Sequence, residues 1–127
     1  MKLHLTTAEN NNLITAYSDS YIEINRQRYM HSLIVMPEKL MTDWNIKDFA
    51  HLTEHHLAKI TNIDTGFSPE VVLLGTGEKH QFLHAKIYQS LTERGIPLEC
   101  MTTAAACRTY NILMSEGRQV LAALILQ

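Results

Sequence analysis

Val71-Val72-Leu73-Leu74 runs without a polar break into Gly75-Thr76-Gly77. A strand with one wet face alternates apolar and polar residues, whereas a strand that is apolar at every position must be covered on both faces. This run therefore demands a sheet lying between two layers and is expected at the sheet's centre. The chain after it alternates strand and helix signals, the pattern of parallel strands joined by crossovers. Gln81 to Arg94 places Leu83, Ile87 and Leu91 on one helical stripe, with Gly95 positioned as a left-handed C-terminal cap. Pro97 to Met101 reads as the next strand. Thr102 or Thr103 then caps a helix that runs to about Glu116 and stops at Gly117, and Gln119 to Leu126 forms the last strand.

The N-terminal part reads differently. Leu13 to Tyr17, Tyr21 to Ile24 and Tyr29 to Met36 are short β-rich runs separated by polar breaks, as expected of antiparallel hairpins. Pro37 ends the third run, Glu38 to Asp48 around Trp44 reads as an irregular connection, and Thr53 to Ile60 as a helix with Leu57 and Ile60 inward. With 127 residues, one core is expected. The expected fold is a single α/β domain over residues 1–127, with a mixed central sheet flanked by helices and a small additional antiparallel β-layer from the N-terminal hairpins.

Composition narrows the function. Eleven basic against thirteen acidic residues give a net charge of −2 with no basic block, so no nucleic-acid partner is expected. No apolar stretch approaches the roughly 20 residues needed to span a bilayer, so no membrane insertion is expected. The N-terminus shows no secretory signal, and only Cys100 and Cys107 occur, so a reducing compartment, the cytoplasm, is expected.

Several strings approach catalytic motifs and fail on spacing. The dinucleotide fingerprint needs a third glycine where His80 stands, although Glu99 lies where a ribose-binding acid would fall, and Gly75 to Lys79 is too short for a phosphate loop. His51-Leu52-Thr53-Glu54-His55 matches an inverted zincin string, but a helix capped by Thr53 excludes His51, and His80 with His84 form only a second exposed pair. Ala106-Cys107-Arg108 lacks the flanking residues of a caspase-type nucleophile, and Cys107 reads as packed. No catalytic residues, metal site or cofactor are assigned. A crevice where the strands end is the candidate site: Gly75, Thr76 and Gly77 open the backbone, a following helix offers its amide end, Thr102 and Thr103 offer hydroxyls, and Lys79 and Arg108 supply cations. A small anion is the ligand expected there. The same glycines also serve a tight turn without any ligand.

The ordered strings Val72-Leu73-Leu74-Gly75-Thr76-Gly77, Gly95-Ile96-x-Leu98-Glu99-x-Met101-Thr102-Thr103, Ala106-Cys107-Arg108-Thr109-Tyr110-Asn111-x-Leu113 and Glu116-Gly117-Arg118 resemble the small Mth-type domain family. That family includes mitochondrial complex I assembly factor three and the adipogenesis-associated domain protein. The resemblance extends from about Tyr29 to Leu126. It implies a compact mixed-sheet fold and brings no catalytic residues with it. The N-terminus lacks an Arg- and Ser-rich amphipathic leader, so a bacterial cytoplasmic relative is the expectation. The functional expectation is a non-enzymatic binding or assembly-type protein with a protein partner. The alternative is a small-molecule or nucleotide-binding enzyme that uses the crevice.

Overall fold

The apolar run becomes β6 (Val71–Gly75), and the last apolar run becomes β8 (Val120–Leu124), every residue of both being buried. The structure, a computed structural model, describes residues 11–61 and 68–126. The other strands are β1 (Ile14–Tyr17), β2 (Ile22–Ile24), β3 (Gln27–Tyr29), β4 (Leu33–Met36), β5 (Lys39–Met41) and β7 (Leu98–Met101). The α-helices are α1 (Glu54–Thr61), α2 (Gln89–Glu93) and α3 (Thr103–Ser115). A five-stranded mixed sheet has the order β5-β4-β8-β6-β7, and β1-β2-β3 form a separate antiparallel sheet. Strands β8, β6 and β7 are mutually parallel, while β4 is antiparallel to both β5 and β8.

The two-residue period of the strands sorts their side chains into two cores. On one face Leu33, Val35, Val71, Leu73, Val120, Ala122 and Leu124 meet Ala106, Cys107, Tyr110 and Met114 of α3, together with Ile14, Ile22 and Ile24 of the small sheet. On the other face Ile34, Met36, Val72, Leu74, Leu121, Ala123 and Ile125 meet Trp44, Ile46, Leu52, Leu57, Ile60 and Leu91. The small sheet is thus a second cover beside α3. It is fastened there by the amide of Asn111, which accepts from the Ile14 N–H at 3.0 Å and donates to the Ile14 carbonyl at 2.8 Å. The Tyr110 hydroxyl adds a bond of 2.7 Å to the Asn12 carbonyl. Among the described residues, no helix is long and apolar enough to cross a membrane.

Four expectations from the sequence need correction. The centre of the sheet is β8, with β6 beside it, because β8 alone joins the parallel half to the antiparallel half. The run Tyr29 to Met36 is not one strand: β3 ends at Tyr29, and the chain passes to the large sheet at Ser32, whose hydroxyl accepts from the Leu126 N–H at 2.8 Å. Within Glu38 to Asp48, Lys39–Met41 turns back on β4 as β5, since Pro37 and Glu38 form a turn rather than a stop.

The helix expected over Gln81 to Arg94 is reduced to Gln89–Glu93, with Gly95 at φ 72° beyond it. Side chains compete for the backbone upstream. The Thr76 hydroxyl accepts from the Gln81 N–H at 3.3 Å, and the His84 ring accepts from the Lys86 N–H at 3.2 Å. Leu83 and Ile87 still pack on the sheet, but from irregular backbone.

Leu73 lies at the middle of β6 and is 1% exposed. Leu73→Ala is expected to lower stability by about 2–5 kcal/mol through lost burial and an unfilled cavity. Urea unfolding measures the loss, and a value below about 1 kcal/mol is inconsistent with a two-faced β6.

Candidate functional site

Because β6, β7 and β8 are parallel, their carboxyl ends share one edge, the place where open α/β sheets collect ligands. A cleft of about 300 Å³ opens there. Gly77 and Glu78 after β6, Thr102, Thr103 and Ala104 at the start of α3, and Ile125 and Leu126 after β8 line it. Tyr17, Ser18 and Asp19 from the turn after β1 complete the lining.

Thr103 is the structural pin of this edge. Its buried hydroxyl donates to the Ile125 carbonyl at 2.7 Å and accepts from the Gly77 N–H at 2.9 Å, while its own N–H donates to the Gly77 carbonyl at 2.9 Å. One side chain thereby ties the loop after β6, the start of α3 and the end of β8. The close approach explains Gly75: a Cβ there would stand 2.9 Å from both the Cα and the Oγ1 of Thr103. Gly77 has φ 103°, a left-handed backbone that side chains disfavour. Thr102 is the N-cap of α3, and its side chain accepts from the Ala105 N–H at 3.2 Å. The Ala104 amide is left as a first-turn donor that none of these contacts takes.

The seven residues singled out from sequence are therefore only partly brought together. Gly77, Thr102 and Thr103 line the cleft, and Gly75 lies beneath Thr103. Thr76 is buried, and its hydroxyl donates to the Met101 carbonyl at 3.2 Å and to the Lys79 carbonyl, so it is occupied within the turn. Lys79 is exposed and is not part of the lining. Arg108 points outward and donates to the Tyr17 hydroxyl at 3.0 Å, which places it against a residue that lines the cleft. The helical amide end expected after Gly77 is missing, since α2 begins only at Gln89, and the helix end at this edge is that of α3.

Sequence reasoning missed Ile125 and Leu126, which a parallel β8 would have indicated. It also missed Tyr17, Ser18 and Asp19, for which nothing local signals a contact with residues so distant in the chain. The two carboxylates of Asp19 and Glu78 set the cleft's electrostatics against a simple anion pocket.

The strings that approached catalytic motifs resolve as packing or surface. Cys107 is buried in the α3 core, where desolvation pushes its thiol up to about 12, and desolvation also raises Cys100, so both are thiols at neutral pH. His51 lies in a short 3-10 turn (Phe49–His51) before α1, with its Nδ1 2.6 Å from Asp48 Oδ1, and so shares no helix face with His55. His80 and His84 stand on irregular backbone, His80 with its ring against Phe82. Glu99 is exposed on β7. Among the described residues, no three His, Cys, Asp or Glu are placed to hold a metal ion.

Thr103→Val preserves shape but orphans the Gly77 N–H and the Ile125 carbonyl, at a cost of about 1–3 kcal/mol for a buried group left unpaired. Thr102→Val removes only a cap, typically about 1 kcal/mol. Denaturant unfolding should rank Thr103→Val as the more damaging of the two, and the reverse order would deny Thr103 its role.

Comparison with known proteins places this architecture. The profile of the family described as protein of unknown function (DUF498/DUF598) matches residues 14–125. A crystal structure of a Bordetella parapertussis protein is 38% identical, covers 92% of this chain and 97% of its own, and superposes with a TM-score of 0.84. The solution structure of a Mth938-like domain from Bordetella pertussis is 35% identical, with 91% of this chain and 85% of its own covered and a TM-score of 0.74.

Among curated proteins, the rat NADH dehydrogenase [ubiquinone] 1 alpha subcomplex assembly factor 3 is 32% identical over 112 residues, or 88% of this chain. The chain spans 59% of the length of that relative. These relatives overturn the cytoplasmic location expected from the sequence, because they are assembly factors of mitochondrial complex I. Scarce cysteines describe any reducing compartment and do not single out the cytoplasm. With its sheet covered on both faces, the Thr103-pinned edge and the match over residues 14–125, the chain belongs to the DUF498/DUF598 family, the Mth938-like domains that include the complex I assembly factor 3 homologues.

Proposed function

We propose that this protein is a non-enzymatic, assembly-type protein that binds a protein partner, with the strand-end cleft as part of the contact. The observation that carries the reading is the relationship to assembly factor 3, of which 112 residues align with this chain. The chemistry of the cleft supports it: both thiols are held protonated by burial, and the cleft's polar groups are hydroxyls, amides and two carboxylates without a nucleophile–base pair. A mixed apolar and polar concavity bounded by a hairpin suits a protruding side chain of a partner.

A second reading keeps the crevice as a small-anion or nucleotide site, with or without catalysis. It is favoured by the Ala104 amide at the start of α3 and by Arg108 beside Tyr17. Within it, Gly75, Thr76 and Gly77 shape the backbone, Thr102 and Thr103 border the ligand, and Arg108, with Lys79 more remote, supplies positive charge. No cofactor belongs to either reading.

Ala104→Arg fills the cleft's rim without entering the core. Purification of wild type and Ala104→Arg from native lysate, each with bound proteins quantified, should show a partner retained by wild type and lost by the variant. A parallel thermal-shift screen with phosphate and nucleotides should leave wild type unmoved. Stabilisation by such a ligand, about 2.7 kcal/mol at 100 times its dissociation constant, together with a partner set unchanged by Ala104→Arg, would establish the second reading.

A further inference from the structure

On the face of the sheet away from α3, the segment around Trp44 closes over α1, and one histidine joins the two. Trp44 is fully buried, and its indole N–H donates to the His56 carbonyl at 3.0 Å. The two rings meet edge to face with centroids 6.3 Å apart. The His56 ring is anchored through Nδ1. Nδ1 accepts from the Thr53 N–H at 3.0 Å and stands 3.0 Å from the Thr53 hydroxyl, while the ring also bonds the backbone of Asn45. The His56 N–H returns to the Thr53 carbonyl at 3.1 Å. The bond from the Thr53 N–H is the backward half of a capping box, with an imidazole in the place usually filled by Glu or Gln, while the forward bond runs to the Thr53 backbone carbonyl rather than to its side chain.

We propose that His56 is a pH-sensitive latch, holding the Trp44 segment to the start of α1 while its ring is neutral and releasing it on protonation. An acceptor at Nδ1 requires the proton of the neutral ring on Nε2. A second proton turns Nδ1 into a donor facing the Thr53 N–H, so the cap loses its acceptor. The new charge sits in the first turn of a helix, where the backbone dipole is unfavourable to cations.

Among the described residues, the charged groups that act on the ring are His55 and Lys59, both cationic or able to become so. Burial first, then these two neighbours, hold its pKa below the ordinary 6.5. The latch's contribution to stability is therefore complete above about pH 6.5 and is lost as pH falls below that value through the depressed pKa of the folded state.

The test follows the His56 ring, the Thr53 amide and the Trp44 indole N–H by NMR from pH 8 to pH 5 in the whole protein. In wild type all three should shift with one common midpoint below 6.5. His56→Gln supplies a non-titrating acceptor at the same position, and its Thr53 and Trp44 signals should stay fixed across the range. His51→Gln should leave the wild-type transition in place, His55→Gln should keep it with the midpoint moved up because His55 helps to lower it, and both decide the matter should His56→Gln not fold. Thr53 and Trp44 signals that stay still while His56 titrates, that shift equally in His56→Gln, or that lose their transition in His55→Gln or His51→Gln would overturn the latch.

Discussion

Burial of two adjacent parallel strands on both faces is the constraint from which the remaining architecture follows. Neither β6 nor β8 offers a polar side, so each face of the pair must be roofed by other parts of the chain. The roofs differ in kind. One is a regular helix, α3, supplemented by a three-stranded sheet. The other is assembled from α1, the short α2 and irregular chain around Trp44. Small residues at Ala122 and Ala123 lie in the middle of β8, one on each face, where bulky partners such as Tyr110 and Trp44 occupy the facing layers. A one-residue slip of β8 would exchange its two sets of side chains, which fixes the register.

What could be read from the residues divides along the same line. Continuous apolar runs and capped helices carry their own signals. β6, β7, β8 and α3 could be read because Thr102, Gly95 and Gly117 punctuate them, and the small antiparallel layer could be read from its first two runs, whereas the third run supplies β4 of the large sheet. The irregular roof could not be read, because its conformation is decided by single side-chain-to-backbone bonds. Thr76 and His84 take backbone groups that the stripe Leu83, Ile87, Leu91 would have used as a helix, and Pro37 is compatible with both a stop and a turn. The candidate site was legible to the same extent: Gly77, Thr102 and Thr103 stand on elements with strong signals, while Asp19 and Tyr17 reach the cleft only through the docking of the small sheet.

Thr103 shows how the site and the fold share parts. The hydroxyl that closes the strand-end edge is also the reason for a glycine at the end of β6, since the backbone of α3 leaves no room for a side chain at Gly75. The cleft's floor is thus set by packing that the fold already requires. Its rim, made of Ser18, Asp19, Glu78 and Ala104, takes no part in that packing.

The Asn111 amide has a further meaning for life in a crowded solution. A strand with an open flank displays donors and acceptors that another chain can copy, the usual route to sheet-to-sheet aggregation. At Ile14 the side-chain amide of Asn111 presents a carbonyl and an N–H to one residue of β1, as a neighbouring strand would, and so withdraws that rung from other chains. The helix thereby stands in for a strand at one rung of the open flank of β1, through one side chain rather than by closure into a barrel.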